Sequence, residues 1–313
     1  MKLKLRKAVF ALSENARITT KELSKILRTS QQSASYLVQQ LKKKKIIEQT
    51  VVIVDPARLG FTNILVGYNF LKFDDESHRA ILAELKNCEQ TIAIYETSDG
   101  VDLLVEYSAQ NLSAFNKTHI EIIQKLFDKI EVKFIFPVVV RHLHNKSYLV
   151  RSKRIDTVIH GDRDQIKLST NEKLILKELI RNADATLTKI SQKTKLSIKS
   201  VVNIKRKLEA QKVIRGYKAI FNQKKLGVID QFALISLTPS GIKQMNKITS
   251  AIGMNKNCVR LTKLIGEYQL LINLESLKET NIIKELRTNF SIKDYKTITL
   301  DKIIKRQYIP ENF

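Results

Sequence analysis

The sequence states one pattern twice, at a single long interval. Leu41 matches Leu208, Lys45-Ile46-Ile47 matches Lys212-Val213-Ile214, Leu59-Gly60 matches Leu226-Gly227 and Leu103-Leu104 matches Leu270-Leu271, all at 208 − 41 = 167 residues. Polar residues keep the same register, among them Asn15/Asn182, Thr19/Thr186, Ser24/Ser191 and Ser30/Ser197. Solenoids repeat at about 20 to 50 residues, so this is a duplicated unit of many elements. A chain of 313 residues also exceeds what one hydrophobic core supports. Fold and function therefore reside in the unit, and any division of labour resides where the copies differ.

Each unit opens on helical spacing. Leu5, Val9 and Leu12 form one face over residues 3–12, and residues 20–27 turn Leu23, Ile26 and Leu27 inward behind Thr20 as N-cap. Ser30 caps a third helix over 31–42, whose inward stripe is Ala34, Leu37 or Val38, and Leu41. The second copy begins with a capping box, Ser169 with Glu172, ahead of Leu174, Ile175, Leu176 and Leu179. Residues 188–194 follow, and Ser197 caps a helix with Val201, Ile204 and Leu208 inward. Three short helices with a brief turn before the last describe a helix-turn-helix. The alternating apolar runs 47–54 and 213–221 then predict a β-wing.

In such a module the third helix enters the major groove of DNA. Copy one turns Gln31, Gln32, Ser35, Tyr36 and Gln39 outward, and amide side chains pair bidentately with adenine. Copy two offers Lys199, Ser200, Asn203, Lys205, Arg206 and Lys207, a more basic set suited to phosphate or guanine. Lys42-Lys43-Lys44-Lys45 closes the first of these helices; cations complement the dipole there, but four exceed what capping needs, so Lys42 and Lys43 join the phosphate-binding set. Charge points the same way: 55 Lys and Arg against 31 Asp and Glu leave +24, an excess that favours a polyanionic partner.

The remainder of each unit alternates strand and helix. In copy one the strands are 63–71, 89–96, 101–107 and 131–142, with helices at 74–87 and along Phe115, Ile122 or Ile123, Leu126 and Ile130. In copy two the strands are 231–238, 258–264, 268–274 and 296–304, with helices at 242–254, carrying the stripe Ile242, Met245, Ile248 and Ile252, and at 277–290. The order βαββαβ is ferredoxin-like. The fold class is α+β: winged helix-turn-helix domains at 1–60 and 169–227, ferredoxin-like domains at 61–144 and 228–313, and a charged linker at 145–168 with a short strand at Tyr148-Leu149-Val150.

A helix-turn-helix followed by a ferredoxin-like domain in about 140 residues resembles the Lrp/AsnC family of leucine-responsive, feast/famine regulators. Residues 208–217, Leu-Glu-Ala-Gln-Lys-Val-Ile-Arg-Gly-Tyr, look like that family's exit from the recognition helix. Asp55-Pro56-Ala57-Arg58-Leu59-Gly60 and Asn222-Gln223-Lys224-Lys225-Leu226-Gly227 look like its hinge, and Ile265-Gly266-Glu267-Tyr268-Gln269-Leu270-Leu271 like its effector hairpin. The resemblance implies a transcription regulator that binds double-stranded DNA. It also implies an amino-acid or other small-molecule effector near Asp99, Gly100 and Asp102 in copy one and Gly266, Tyr268 and Gln269 in copy two. Both hairpins depart from the family pattern: Gln269 stands where Asp is usual, and Asp99 replaces the glycine. Self-association through the ferredoxin-like domains follows, either inside the chain as a pseudo-dimer or between chains.

The rival reading is an enzyme. Siroheme decarboxylases are similar to this family, and Arg141-His142-Leu143-His144 is the one His/Arg cluster that such chemistry would use; as a strand end without counterparts in copy two, it reads first as an exposed terminus. No phosphate loop, paired catalytic carboxylates, nucleophile motif or metal cluster accompanies it, so neither catalysis nor a cofactor is expected. An RNA-binding sheet would need aromatic stacking platforms that the strands lack. Two cysteines, Cys88 and Cys258, form no framework and fit a reducing cytoplasm. The apolar run after the basic start is too short for a signal peptide, and no run approaches the eighteen residues of a membrane span, so no membrane partner is expected.

Overall fold

A computed structural model describes all 313 residues. The first helical unit contains α1 (Leu3–Glu14), α2 (Thr20–Leu27), α3 (Gln31–Lys43) and strand β1 (Ile47–Val54), followed by a 3-10 turn at Pro56–Leu59. Its sheet domain runs β2 (Thr62–Phe70), α4 (Asp75–Asn87), β3 (Thr91–Ser98), β4 (Leu103–Ala109), α5 (Leu112–Lys125) and β5 (Ile130–His144). After β6 (Asp156–His160) the order recurs: α6 (Thr170–Arg181), α7 (Leu187–Thr194), α8 (Ile198–Ala210), β7 (Ile214–Phe221) and the short α9 (Gln223–Leu226). The second sheet domain comprises β8 (Ile229–Leu237), α10 (Pro239–Lys243), α11 (Met245–Met254), β9 (Cys258–Leu264), β10 (Leu270–Ser276), α12 (Ile282–Asn289) and β11 (Ile292–Arg306).

The wing strands pair with each other, not within their own units. β1 and β7 form a two-stranded antiparallel ribbon. Thr50 faces Ala219, Val51 faces Lys218 and Val52 faces Tyr217, and since 218 − 51 = 167 the ribbon's pseudo-two-fold axis passes through Val51 and Lys218. Each strand also completes the other unit's core. Val51 to Val54 pack among Ile175, Leu179, Val201 and Leu208 of the second helical unit, while Ala219 and Phe221 join Val9, Leu12 and Leu41 of the first. Alternation in the sequence identifies a half-buried strand but not its partner, and here the partner lies in the other unit.

The sheet domains repeat this reciprocity. Each has four antiparallel strands, and their edges meet at two seams, β5 with β9 and β11 with β3. With β2 also paired to β5, eight strands close into a barrel and β6 flanks it on β5. Tyr95, Leu104, Phe136, Phe232, Leu264 and Leu271 fill the interior. Burying each such side chain contributes about 1.5–3 kcal/mol. Helices α4 and α5 cover the outside of one half, and α11 and α12 the other.

Several expectations shift on contact with the structure. Thr19, not Thr20, caps α2: its hydroxyl accepts from Glu22 N at 3.2 Å, while the Glu22 carboxylate accepts from Thr19 N at 3.1 Å. Ile26, Leu174 and Ile242 are exposed, and the helix expected over 242–254 breaks between α10 and α11. Ile130 opens β5 because α5 stops at Lys125. The linker is not merely a solvated tether: its strand is Asp156–His160, paired with β5, whereas Tyr148 and Leu149 lie in a buried turn.

The offset also changes. It is 167 through β10, but Ile64 faces Pro137 while its counterpart Gln231 faces Thr299, and 299 − 137 = 162. The cause is α12, eight residues long against fourteen in α5. Arg141 and His142 face Thr262 and Leu261 as Ile303 and Lys305 face Tyr95 and Ile94, and past that bulge Leu143 matches Arg306, so no Arg or His stands at the positions that match Arg141 and His142. The cluster is not an exposed strand end, however, since Arg141 and His144 are 3% and 4% exposed.

Equivalent positions carry exchanged polar pairs. Asn63 donates to Glu106 Oε1 at 2.7 Å, and at the corresponding sites Asn273 donates to Asp230 Oδ1 at 2.5 Å. Glu106 also meets the Arg141 guanidinium at 2.7 Å. Burial pushes the Glu106 carboxyl up, but Arg141, its hydrogen bond and Arg260 outweigh this and hold it below the usual range. Removing one partner of such a pair strands a buried charge, at about 3–5 kcal/mol. Glu106→Gln should therefore lower the unfolding free energy from denaturant titration by that amount, and Glu106→Leu combined with Arg141→Met should restore most of it. Equal losses in single and double variants would show that the pair does not act as a unit.

Burial and then Glu275 raise the Asp230 carboxyl to about 7. This lies above the unfolded value of about 3.9, so the folded state holds the extra proton and stability falls as pH rises from about 4 through 7. Asp230→Asn, which installs the residue the first unit carries there, should flatten that fall in midpoints measured from pH 4 to 8. An unchanged slope would assign it to another group.

Candidate nucleic-acid interface

The two third helices are built alike. Ser30 and Ser197 each accept from the N–H three residues on, at 3.1 Å, satisfying an orphan donor at the start of α3 and α8. Ala34 and Leu41 in one helix, Val201 and Leu208 in the other, are buried and fix which face turns outward. On α3 that outward face carries Gln31, Gln32, Tyr36 and Gln39, all exposed, with Ser35 half-buried. On α8 it carries Lys199, Asn203 and Arg206, exposed, while Ser200 is half-buried with its hydroxyl 2.9 Å from that of Ser197.

The basic residues divide by their partners. Lys42 reaches across to Asp184 of the second unit at 2.7 Å, Lys207 meets Glu172 at 2.6 Å, and Lys205 meets Glu209 at 2.6 Å while lying over the Tyr217 ring. Lys43 is exposed. Exposed pairs contribute about 0.2–1 kcal/mol, so Lys42 and Lys207, both more than half exposed, can exchange their carboxylates for phosphates. Lys205 is 22% exposed and belongs to the joint between units, where Arg17 also stacks on Tyr217 and Ala16 N donates to the Tyr217 carbonyl at 2.9 Å.

Among candidate DNA contacts, sequence reasoning named Lys45 only as part of the Lys42–Lys45 run and did not single out Arg28, Lys195 or Lys212. Arg28 and Lys195 end α2 and α7 with φ of 51° and 55°, and Lys45 and Lys212 follow α3 and α8 with φ of 51° and 59°. Each pair is separated by 167 residues, as in 195 − 28 and 212 − 45. Glycine is the usual occupant of this left-handed conformation. A long cation held there in both copies brackets each third helix with positive charge, at some cost in backbone strain. The signal was present in the sequence as paired cations at turn positions where glycine would relieve the chain.

The hairpin residues are knitted into the barrel. Asp102 accepts from Phe70 N at 2.7 Å and Gln269 accepts from Leu237 N at 2.8 Å, one bond at equivalent places in the two units. Asp99 adopts φ of 61° before Gly100 and accepts from Thr299 of the other half at 3.1 Å. At Gly266 a Cβ would lie 2.5 Å from the Phe136 ring, and Tyr268 packs against that ring at 6.0 Å. Each hairpin thus abuts the last strand of the opposite unit.

A sequence model of the MarR family matches residues 8–55, which cover most of α1 through β1. An uncharacterized HTH-type transcriptional regulator of Pyrococcus furiosus is 32% identical over 148 residues, 45% of this chain and 90% of the relative. The HTH-type transcriptional regulator LrpA of Mycobacterium tuberculosis is 25% identical over 143 residues, 44% of this chain and 95% of the relative. Among solved structures, the siroheme decarboxylase NirDL superposes with a TM-score of 0.60, covering 98% of this chain and 94% of its own, at 13% identity, which is a likeness of fold alone. With that degree of identity spanning nearly the whole Pyrococcus relative, the chain belongs to the HTH-type transcriptional regulators.

Proposed function

We propose that the chain is a tandemly duplicated regulator of Lrp/AsnC type that acts as an internal dimer, reading an asymmetric double-stranded DNA site through α3 and α8. The observation that carries this reading is the ribbon, whose register is symmetric about Val51 and Lys218 and so relates two unlike third helices by one axis. A dimer of identical helix-turn-helix units reads a palindrome. Here glutamines on one side and lysine, asparagine and arginine on the other favour two different half-sites. Small-molecule control through the Asp99/Gly100 and Gly266/Tyr268 hairpins is part of the proposal, because each lies on a seam between halves. The decarboxylase reading has less support, since Arg141 is engaged by Glu106 and also donates to Thr262 Oγ1 at 3.2 Å.

Selection from a random duplex library should recover two dissimilar half-sites a whole number of helical turns apart, about 10 bp or a multiple. A single palindromic site, or none, would overturn the reading. Affinity should fall with salt at a log–log slope steeper than about −4, reflecting several phosphate contacts.

Lys45→Gly and Lys212→Gly, which relieve the left-handed backbone, should each stabilise the fold by about 1 kcal/mol. Each should also reduce the salt slope by about one. A gain in stability with unchanged DNA affinity would remove these lysines from the interface.

A further inference from the structure

Between the ribbon and the barrel lies a cavity walled by both units. Its lining includes Lys218 of β7, His144 at the end of β5, Lys146 just beyond it, Arg260 of β9 and Arg306 at the end of β11. The space open to water centres is about 40 Å³. One water needs about 10–15 Å³ by that measure, so the cavity suits a few waters or a small ion, not a macrocycle.

The lining is short of negative charge. Lys146, Lys218, Arg260 and Arg306 face a single lining carboxylate, Glu275, and of the four only Lys146 holds an ion pair, with that Glu275. Arg260, 6% exposed, gives one N–H to the Tyr95 hydroxyl at 3.3 Å and lies over the Phe232 ring, leaving its Nε–H without an acceptor. His144 has no hydrogen-bond partner on either ring nitrogen, its Nδ1 standing 3.5 Å from Asp156. Glu106 also acts on Arg260 but is itself paired with Arg141, while Glu14 and Asp230 lie within electrostatic reach with both carboxyls held toward their neutral forms by burial. Buried cations without counter-charge are costly unless something supplies it. Two guanidinium groups and an ammonium around one small space match the oxygens of a phosphate or carboxylate.

We propose that this cavity binds a small oxyanion carrying two or more negative charges, a phosphate group or a short dicarboxylate, held by Lys218 on the ribbon and by Arg260 and Arg306 on the barrel. It lies away from the hairpins on the seams. Lys218 sits on the pseudo-two-fold axis, so the anion would tie the ribbon to the barrel; its use as an effector rests on the regulator reading, its binding does not.

The test is thermal unfolding of the full chain with inorganic phosphate, malonate or chloride at matched ionic strength, in the absence of DNA. A saturable rise in Tm with phosphate or malonate beyond chloride is expected, and which of the two saturates first identifies the source. Lys218→Ala and Arg306→Gln should each weaken the apparent affinity at least tenfold. No excess over chloride, or undiminished affinity in the variants, would overturn the proposal. If Arg306→Gln does not fold, Lys218→Ala decides, because Lys218 is only half-buried on a ribbon strand.

Discussion

The antiparallel contact of β1 with β7 holds the helical units in one arrangement. Neither unit closes its core with its own chain: Val51 to Val54 fill the second, Ala219 and Phe221 the first. The same exchange occurs at the barrel seams, where β5 meets β9 and β11 meets β3. Because strands of one half complete the other, separating the halves would expose apolar surface on both. Backbone bonds in the ribbon and at the seams would be lost with it, and burial and hydrogen bonding therefore favour one relative placement of α3 and α8.

Within that frame the two units differ without losing polar pairing. Asn63 with Glu106 and Asp230 with Asn273 place one carboxylate and one amide at equivalent points, exchanged between strands. Asp102 and Gln269 make the same bond with different chemistry. Each substitution preserves an acceptor for a buried donor, the condition that a buried polar site must meet. The outward faces of α3 and α8 carry no such constraint, and there the residues differ freely.

Much of this was legible in the sequence. Helix caps at Ser30, Ser169 and Ser197, and the inward positions Leu41, Val201 and Leu208, follow from local spacing, and the βαββαβ order follows from alternation. What failed was long-range. The strand at 47–54 gives no sign that its neighbour is residues 214–221, and Arg141 looks like a surface residue until Glu106 and Thr262 engage it. The slip of the last strand was hidden because the shorter α12 deletes helix surface without disturbing any motif. On the third helices, exposure of Gln31, Gln32 and Arg206 was readable, but the ion pairs of Lys42 and Lys207 depend on residues 184 and 172, which only the folded chain brings near.

The reciprocal strands have a consequence for dosage. Two separate subunits assemble at a rate and extent set by the square of their concentration, and dilution dissolves them. Covalent joining replaces that dependence with a fixed effective concentration that no dilution alters. Unlike partners joined in this way are also always present one to one, and neither can exchange for a copy of itself. Under the proposed reading, occupancy of a site that needs both α3 and α8 would then rise in simple proportion to the amount of chain made, without the threshold that subunit assembly imposes.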